Sequence, residues 1–357
     1  MLEKLTLVIP TYNRQAFALR NMNYWSNKPV TIITMDGSQK PIPESELSLM
    51  GSNISYHHAP HSLAKRLSMA LPLIKTPYVA LYGDDEFFLP DGLEACIQFL
   101  DGKPDYVACC GQVIGFRPER GSIRGFGRYP KLEGLNIDNP SGVERIVRHM
   151  GNYVPSHVYA VSRTKPWIEA VKCFASRDFR VLAIGELQIE MCLSYAGKSR
   201  ALPHVMWLRS YGETKPIRNT DPTLDESRPF DQWWHEPGAK EEKDAFIKHT
   251  ASKLEIFDSG NQTEIDYNHI IAKAGDTYVK GVSKFHNNLQ HKSAQKLAFS
   301  VGTLFSKIYK QTRNTIKKKY TLNEFGEKMI KRGVSVNLDQ VLEIEKIVKD
   351  FHGYSIK

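Results

Sequence analysis

The segment YVALYGDDEFFLPDGL, residues 78–93, places three consecutive acidic residues after a short apolar run. Tyr78–Tyr82 predicts a buried strand, and Asp84, Asp85 and Glu86 follow at its end. Adjacent carboxylates are costly to pack together unless a cation or solvent relieves their repulsion. Because carboxylate oxygens are the ligands that Mg²⁺ and Mn²⁺ prefer, the segment predicts a cation site at a strand end.

Two segments closer to the N-terminus repeat this arrangement of an apolar run and a polar end. Leu5–Pro10 is followed by Thr11–Arg14, and Val30–Met35 is followed by Asp36. Helical patterns separate the runs, and a further helix is expected to begin near Asp91 with a side-chain cap. This alternation predicts an α/β fold with a mostly parallel sheet covered by helices. Ligands bind such sheets at the carboxyl ends of the strands, where the three polar clusters fall.

Composition excludes several classes of protein. The chain has 357 residues, of which 41% are hydrophobic and 24% charged, which is ordinary for a folded protein and excludes a mainly disordered one. No run of about 18 apolar residues predicts a transmembrane helix, and the N-terminus lacks the long apolar core of a signal peptide. The five cysteines have no CxxC spacing, so we expect a reduced, cytoplasmic protein without a cysteine-ligated zinc.

The pattern divides the chain into three parts. Residues 1–211 predict the α/β domain, 212–238 a polar, proline-containing linker or active-site loop, and 239–357 a helical, basic C-terminal region. Within the first part we expect a strand over Tyr153–Ser162 and a helix over Gly185–Ala196.

The net charge of +9 is concentrated near the C-terminus. Residues 277–323 contain nine Lys, one Arg and no Asp or Glu. Apolar residues recur at helical spacing among the lysines over about 296–319, which predicts a basic amphipathic helix. Such a helix either packs on its own domain with a solvated lysine face or lies on an anionic membrane surface. Because no nucleic-acid-binding motif accompanies the charge, nucleic acid is not expected as a partner.

Four segments together resemble the family 2 glycosyltransferases of the GT-A fold: LTLVIPTYNR, TIITMDGS, LAKRLSMAL and YVALYGDDEFFLPDGL. The resemblance covers roughly residues 4–211 and implies a nucleotide-sugar half at about 1–100 and an acceptor half at about 101–211. It implies an inverting bacterial enzyme, dependent on Mn²⁺ or Mg²⁺, that transfers a sugar from a nucleotide-diphosphate sugar to a glycan or lipid-linked glycan. The implied role is the synthesis of surface polysaccharide or glycoconjugate in the cytoplasm, peripherally at the inner face of the cell membrane.

The resemblance also implies roles at the first two strand ends. Pro10, Thr11 and Tyr12 would line the nucleotide base, with Arg14 near them. Asp36 would accept a hydrogen bond from the base. These five residues are therefore the expected nucleotide site.

The other two segments would bind the rest of the donor. The resemblance implies that Arg66 faces the base and diphosphate, that Asp84 lies beside the ribose or metal, and that Asp85 is the main metal ligand. Two positions depart from the family: Leu67 stands where it has Asn, and Tyr82 where the commoner motif has its first Asp.

The catalytic base of this family is usually an acidic residue at the start of a helix beyond the metal motif. The segment GELQIEMCLSYAGKSRALP resembles that region, with Leu187 in place of the usual Asp. Glu186 is therefore the expected base and Glu190 the reserve, since residues four apart share a helix face. The alternative is that Glu186 only stabilises the helix dipole.

Residues further along the chain are candidates for the same site. His204 is a candidate third metal ligand, and Arg209 a candidate partner of phosphate, whose geometry a guanidinium matches. Trp233, Trp234 and His235 either stack on an acceptor sugar or anchor their loop to the body of the protein.

Two other functions share parts of this pattern. A sugar nucleotidyltransferase can have the same sheet, but Thr11–Arg14 lacks the glycines of a phosphate-cradling loop. A degenerate transferase domain would act as a membrane- or glycan-binding module. Leu187 favours that alternative, whereas the presence of both Asp84 and Asp85 argues against it.

Overall fold

The computed structural model describes residues 1–119, 121–179, 181–213, 228–258, 265–298 and 319–354. Most of the basic helix expected over 296–319 therefore lies outside the described residues.

The described strands belong to one sheet. They are β1 (Leu5–Thr11), β2 (Thr31–Asp36), β3 (Ile54–His58), β4 (Tyr78–Leu81), β5 (Phe87–Phe88), β6 (Tyr106–Glu119), β7 (Ser122–Arg128), β8 (Asn136–Ile137), β9 (Val161–Arg163), β10 (Lys198–Ser210) and β11 (Tyr320–Thr321).

Helices connect and cover these strands. They are α1 (Gln15–Trp25), α2 (Glu44–Leu47), α3 (Leu63–Ala70), α4 (Pro90–Asp101), α5 (Gly142–Gly151), α6 (Thr164–Phe174), α7 (Leu182–Ala196), α8 (Phe230–His235), α9 (Lys240–Phe257), α10 (Tyr267–Ala298), α11 (Leu322–Ile330) and α12 (Leu338–Phe351).

The centre of the sheet is mostly parallel. Strands β4, β1, β2 and β3 are neighbours in that order and pair in parallel, and β6 pairs in parallel with β10. The short β9 runs antiparallel to both β4 and β6, so β6 points the same way as the first four strands. The predicted fold class, a mostly parallel sheet flanked by helices, is confirmed.

Alternate residues of β1 enter two hydrophobic cores on opposite faces of the sheet. Leu7 and Ile9 pack in the first core together with residues of α1, α4, α11 and α12. Val8 packs in the second core with residues of α3, α6 and α7. Because side chains of a strand alternate between faces, one strand joins both layers.

A third core consists mostly of helices. It brings α7 together with α5, α8, α9 and α10. Helix α7 contributes Ile189 and Cys192 to the second core but Leu187 and Met191 to the third, so apolar neighbours surround it. This explains Leu187, which fills the third core.

The C-terminal region is largely helical, as expected, and also contains one short strand. Strand β11 pairs antiparallel with β7, where Tyr320 lies opposite Gly125 and Thr321 opposite Arg124. Helices α11 and α12 then pack in the first core, against the same face as α1 and α4. The last described part of the chain thus belongs to the α/β sheet itself, whereas α8, α9 and α10 surround α5 and α7.

The start of α4 differs from the prediction that Asp91 caps it. The helix begins at Pro90, and Leu89 is its N-cap without a side-chain hydrogen bond. Proline is favoured at the first helical position because its fixed φ suits the helix and its missing N–H would have no partner there. The proline therefore moves the helix start ahead of the aspartate.

The strand expected over Tyr153–Ser162 is also shorter than predicted. Only Val161–Arg163 forms a strand. The amides of His157 and Val158 donate to the side chain of Glu190 instead of to a neighbouring strand, each over 3.0 Å. The Glu190 carboxylate, 32 residues or more away in sequence, thus accepts the hydrogen bonds that a neighbouring strand would accept in a sheet.

Candidate active site

Asp84, Asp85 and Glu86 form a turn after β4, the acidic turn. This turn lies beside the end of β1, because the two strands are parallel neighbours. Asp84, which is 2% exposed, accepts hydrogen bonds from the Thr11 hydroxyl over 2.8 Å and from Arg14 Nε over 3.1 Å. A second nitrogen of Arg14 contacts Asp84 and also lies 3.1 Å from Asp85 Oδ1. The guanidinium of Arg14 therefore bridges the two aspartates and neutralises part of their charge.

Asp85 is the more open of the two aspartates. Its side chain is 16% exposed, against 3% for Asp84. The oxygens of Asp84 already bind Thr11 and Arg14, so Asp85 is the carboxylate that solutes reach first. The donor set fits a divalent cation in its chemistry, since carboxylates are hard oxygen ligands.

Glu86 is a site residue that the family pattern did not single out. Trp207 of β10 donates its indole N–H to Glu86 Oε2 over 2.8 Å, and Arg209 Nε lies 3.6 Å from Oε1. Burial raises the pKa of Glu86 to about 8, although the charge of Arg209 opposes this shift. The only signal in the sequence was its position next to Asp85.

Tyr82, which stands where the commoner family motif has its first Asp, has a structural role. Its hydroxyl is buried and lies 2.8 Å from the carbonyl oxygen of Glu86 and 3.0 Å from the side chain of Asn21. Asn21 in turn donates to the carbonyls of Gly83 and Asp84. Tyr82 therefore supports the backbone of the acidic turn from inside the protein.

The end of β2 carries Asp36, which is fully buried. Its carboxylate accepts hydrogen bonds from Gln15 Nε2 over 2.6 Å, the Tyr56 hydroxyl over 2.7 Å and the Ser38 amide over 2.8 Å. A nucleotide base would therefore reach Asp36 only beside or in place of Gln15.

Arg66 joins the ends of β1 and β2. Its guanidinium donates to the carbonyl oxygens of Thr11 and Met35, the latter over 3.2 Å, and Nε donates to the carbonyl of His61 over 3.1 Å. The centre of the guanidinium lies 5.8 Å from the ring of Tyr12. Arg66 thus fixes the strand ends beneath Tyr12.

Pro10 lies in β1 one residue before its end and is half-buried, as is Tyr12. With Thr11 and Arg14 they lie at the same edge of the sheet as Asp36. The structure therefore brings together the five residues expected to bind the nucleotide, while their contact with a nucleotide stays a prediction.

Glu186 lies in the second turn of α7 and is half-buried. Burial, followed by the negative charge of Glu190, raises the pKa of Glu186 to about 7. No hydrogen-bond partner for its carboxyl lies within the described residues. A carboxyl group with such a pKa can accept a proton near neutral pH.

Glu190 does not fit the reserve role predicted from its helix spacing. It is fully buried, and its Oε2 accepts hydrogen bonds from His149 over 2.6 Å and His157 over 2.7 Å. Its Oε1 accepts the amides of His157 and Val158. Burial opposes the charged form, but the histidines outweigh it and hold the pKa of Glu190 well below its usual range. The carboxylate therefore has no access to an acceptor.

His149, His157 and Glu190 have ligating atoms within 4.8 Å of one another, the one such three-residue group among the described residues. However, both histidine nitrogens lie at hydrogen-bond distance from the same carboxylate oxygen. Ligands around a tetrahedral Zn²⁺ with bonds of about 2.1 Å would be about 3.4 Å apart. The group is thus a buried hydrogen-bond network.

Tyr159 is influenced both by Glu186 of α7 and by the acidic turn. Its ring lies 4.5 Å from that of Trp207, the residue that binds Glu86. Burial raises the pKa of Tyr159, and the negative charges of Glu186, Glu86 and Asp85 raise it further. The charges of Glu186 and of the acidic turn therefore both act on Tyr159.

Arg209 lies at the acidic turn, as expected. Besides its approach to Glu86, it contacts the Tyr129 hydroxyl and lies 5.2 Å from the ring of Trp207. Its side chain is 28% exposed, so it is available to an anion.

His204 does not join the acidic residues. It lies three residues before Trp207 on an extended strand, a separation of about 10 Å. Its backbone forms a bridge with Ser335, in the connection between α11 and α12. The expectation of a third metal ligand at His204 is therefore corrected, because the strand carries it toward the C-terminal helices.

Trp233 and Trp234 are anchors, the second of the two alternatives. Both are buried, and their indole N–H groups donate to Glu242 and Asp276, each over 2.9 Å. Rings enclosed in the third core offer no face to a sugar, and the neighbouring His235 is exposed.

Residues 6–152 match the family model described as Glycosyl transferase family 2. The match begins in β1, contains both aspartates of the acidic turn and ends just after α5. Residues 6–152 thus form a family 2-like glycosyltransferase domain with a GT-A type of sheet, and the protein is a glycosyltransferase. The family resemblance inferred from the four sequence segments is confirmed.

Solved structures that match the chain include S. aureus TarS 1–349, at 13% identity over 80% of this chain and 91% of that chain, with a TM-score of 0.41. A complex of the same TarS segment with UDP-GlcNAc has 14% identity over 80% and 92%, again with a TM-score of 0.41. The mannosyltransferase PcManGT from Pyrobaculum calidifontis, in complex with GDP-Man and Mn²⁺, has 11% identity over 88% and 80%, with a TM-score of 0.40. No curated protein sequence matches the chain.

Among the described helices, none combines the length and the apolar character needed to cross a membrane.

Proposed function

We propose that the protein transfers a sugar from a nucleotide-diphosphate sugar to a hydroxyl group of a glycan or lipid-linked glycan, with inversion at the anomeric carbon. One observation carries the proposal. Two unlike acidic groups act through their charge on Tyr159: Asp85, which is partly exposed and lies 3.1 Å from Arg14, and Glu186, whose pKa is about 7. The first suits a charged leaving group and the second suits a base.

Asp85 would bind the donor through a divalent cation, Mn²⁺ or Mg²⁺. Such a cation, when bound, would stabilise the negative charge of the departing diphosphate. Arg14 and Arg209 lie beside Asp85 and Glu86 and would contact phosphate oxygens through their planar guanidinium groups. The end of β1, at Tyr12, would contact the nucleotide base.

Glu186 would remove the proton from the acceptor hydroxyl. The acceptor oxygen then attacks the anomeric carbon. The bond between this carbon and the diphosphate oxygen breaks, and the nucleoside diphosphate leaves on the opposite face with the electron pair. With a pKa of about 7, the carboxyl is charged in about half of the molecules at neutral pH, which is close to the optimum for a general base.

The biological role follows from the family resemblance. We propose that the product belongs to surface polysaccharide or glycoconjugate synthesis in a bacterium. The basic stretch over 277–323 supports an anionic membrane surface as the place of reaction.

Calorimetric binding tests the donor site. Wild type and Asp85→Ala are titrated with UDP, GDP, CDP and TDP, each with and without Mn²⁺. We expect one nucleotide to bind wild type in the presence of Mn²⁺ and its affinity to fall at least about tenfold in Asp85→Ala, since a charge-assisted contact is lost. Glu144→Gln, on the exposed side of α5, is the matched control and should bind like wild type.

If none of the four nucleotides binds with Mn²⁺, the proposed donor site is wrong, and the degenerate binding module becomes the better interpretation. If binding is equal in wild type and Asp85→Ala, the assignment of the cation to Asp85 fails.

A further inference from the structure

Arg20 of α1 is a buried cation on the inner side of the acidic turn. Its side chain is 3% exposed. Nη2 donates to the backbone carbonyl of Asp85 over 3.0 Å, and Nη1 donates to Glu213 Oε1 over 2.7 Å. Arg20 therefore fixes the backbone that carries Asp85, whereas Arg14 contacts the side chain of that residue.

Glu213, just after β10, has a side chain with no exposed surface. Besides Arg20, its carboxylate accepts hydrogen bonds from the Ser210 hydroxyl over 2.7 Å and from His352 Nε2 over 2.8 Å. These donors come from α1, from β10 and from the C-terminal cap of α12. A single buried carboxylate thus joins the end of the described chain to the arginine behind the acidic turn.

Phe351 reinforces the same contact. The Arg20 guanidinium centre lies 4.6 Å from the ring of Phe351, 4.9 Å from Phe87 and 5.0 Å from Phe17. The rings of Phe17 and Phe351 are 4.9 Å apart. Cation–π contacts are strongest where the cation is desolvated, as it is here.

The position of this cluster is specific to the acidic turn. Phe87 follows Glu86 directly, so the rings that enclose Arg20 include the first residue after the turn. The end of α12 is therefore connected to the turn through one carboxylate and one guanidinium.

We propose that Phe351 and His352 are positioning residues of the donor site, which hold the acidic turn in place through Glu213 and Arg20. The proposal rests on the proposed function in one respect, the assignment of Asp85 to donor binding. It makes the end of α12 a functional part of an active site whose other proposed residues lie between Pro10 and Arg209.

The test uses the full chain with His352→Ala, the conservative variant His352→Gln, which keeps a donor for Glu213, and the control Leu342→Ala. Leu342 lies on the same helix and is 48% exposed. The first readout is the amide hydrogen exchange of residues 83–87. We expect exchange there to be about three- to tenfold faster in His352→Ala, restored in His352→Gln, and unchanged in Leu342→Ala, because one hydrogen bond to a charged group is lost.

The second readout is the affinity for the nucleotide that wild type binds, measured with Mn²⁺. It should fall by about three- to tenfold in His352→Ala and recover in His352→Gln. Unchanged exchange at residues 83–87 in His352→Ala overturns the proposal, even if the melting temperature falls. If wild type itself binds no nucleotide, the proposed donor site has failed, and hydrogen exchange alone decides on the positioning role.

Discussion

Two buried carboxylates, Asp84 and Glu190, have different surroundings. Asp84 is satisfied by Thr11 and Arg14, which lie close together at the end of β1. Glu190 is satisfied by histidines and amides between 32 and 41 residues away. The partners of Asp84 thus belong to one short motif, 70 and 73 positions before it, whereas those of Glu190 belong to two separate segments, 32 to 41 positions before it.

The partners also differ in how they respond to pH. The guanidinium of Arg14 keeps its charge over the accessible pH range, whereas burial lowers the pKa of His149 beside Glu190. We therefore expect the pH dependence to come from the two glutamates with raised pKa values, Glu186 at about 7 on α7 and Glu86 at about 8 in the acidic turn.

Removing the carboxylate of Glu190 should have the largest effect on the stability of the protein. Glu190→Ala leaves two histidines and two amides buried without their acceptor. We expect a loss of about 3–5 kcal/mol in the free energy of unfolding, as measured by urea titration.

Glu190→Gln is the control for this variant. The amide oxygen can still accept both backbone N–H groups, and the NH₂ group can donate to both histidines, so most of the stability should remain. Equal losses in Glu190→Ala and Glu190→Gln would show that charge, and not hydrogen bonding, is what Glu190 provides.

The acidic turn should separate stability from binding. Asp84→Ala removes the acceptor of Thr11 and Arg14, and we expect a loss of about 2 kcal/mol in the free energy of unfolding. Asp85→Ala should cost about 0.5 kcal/mol or less, because its partner contact is partly exposed. Urea titration of both variants measures this; a larger loss for Asp85→Ala would reverse the roles given to the two aspartates.

The substitution Gly37→Ala should perturb the ends of β1 and β2 by a smaller amount. A Cβ atom at this position would lie 2.7 Å from Arg66 Nε, so Gly37→Ala must displace the guanidinium that joins β1 and β2. We expect a loss of about 1–3 kcal/mol, read from urea titration, together with weaker nucleotide binding. The open position Gly238, where a Cβ meets nothing within 4 Å, provides the control Gly238→Ala. Should both variants behave alike, Arg66 would have no part in shaping the nucleotide site.

The pH dependence of stability tests Glu186, the proposed base, with a smaller perturbation. The pKa of Glu186 is raised from 4.5 to about 7, so its contribution to stability is fully present below about pH 4.5 and is lost as the pH rises through 7. Glu186→Gln should therefore melt at a higher temperature than wild type at pH 8, by about 2–4 °C for each kcal/mol regained, and at a similar temperature at pH 4. A melting difference that is the same at both pH values would show that Glu186 does not titrate in this range.

The same contrast explains how far the sequence could be interpreted. The acidic turn, the polar ends of β1 and β2 and the mostly parallel sheet followed from short segments, because each strand and its polar end are neighbours in the chain. Glu186 was selected by family resemblance, and its raised pKa depends on burial that the sequence does not display.

The parts that sequence reasoning missed depend on contacts between distant residues. The buried network of Glu190 turned an expected strand into an irregular segment. Strand β11 has only two residues, too short for a periodic pattern, and it was hidden in a basic, helical stretch. The contact between Glu213 and His352 joins residues 139 apart in the chain, so nothing in the local pattern indicated it.

The most direct test of the central claim is the turnover of Glu186→Gln with the donor that calorimetry identifies. The measured quantity is the release of nucleoside diphosphate at pH 8, alongside nucleotide affinity and the control Glu144→Gln. We predict wild-type affinity and a fall in kcat of about 10²–10⁴ for Glu186→Gln, with no change for the control. A kcat within about threefold of wild type would contradict the assignment of Glu186 as the base.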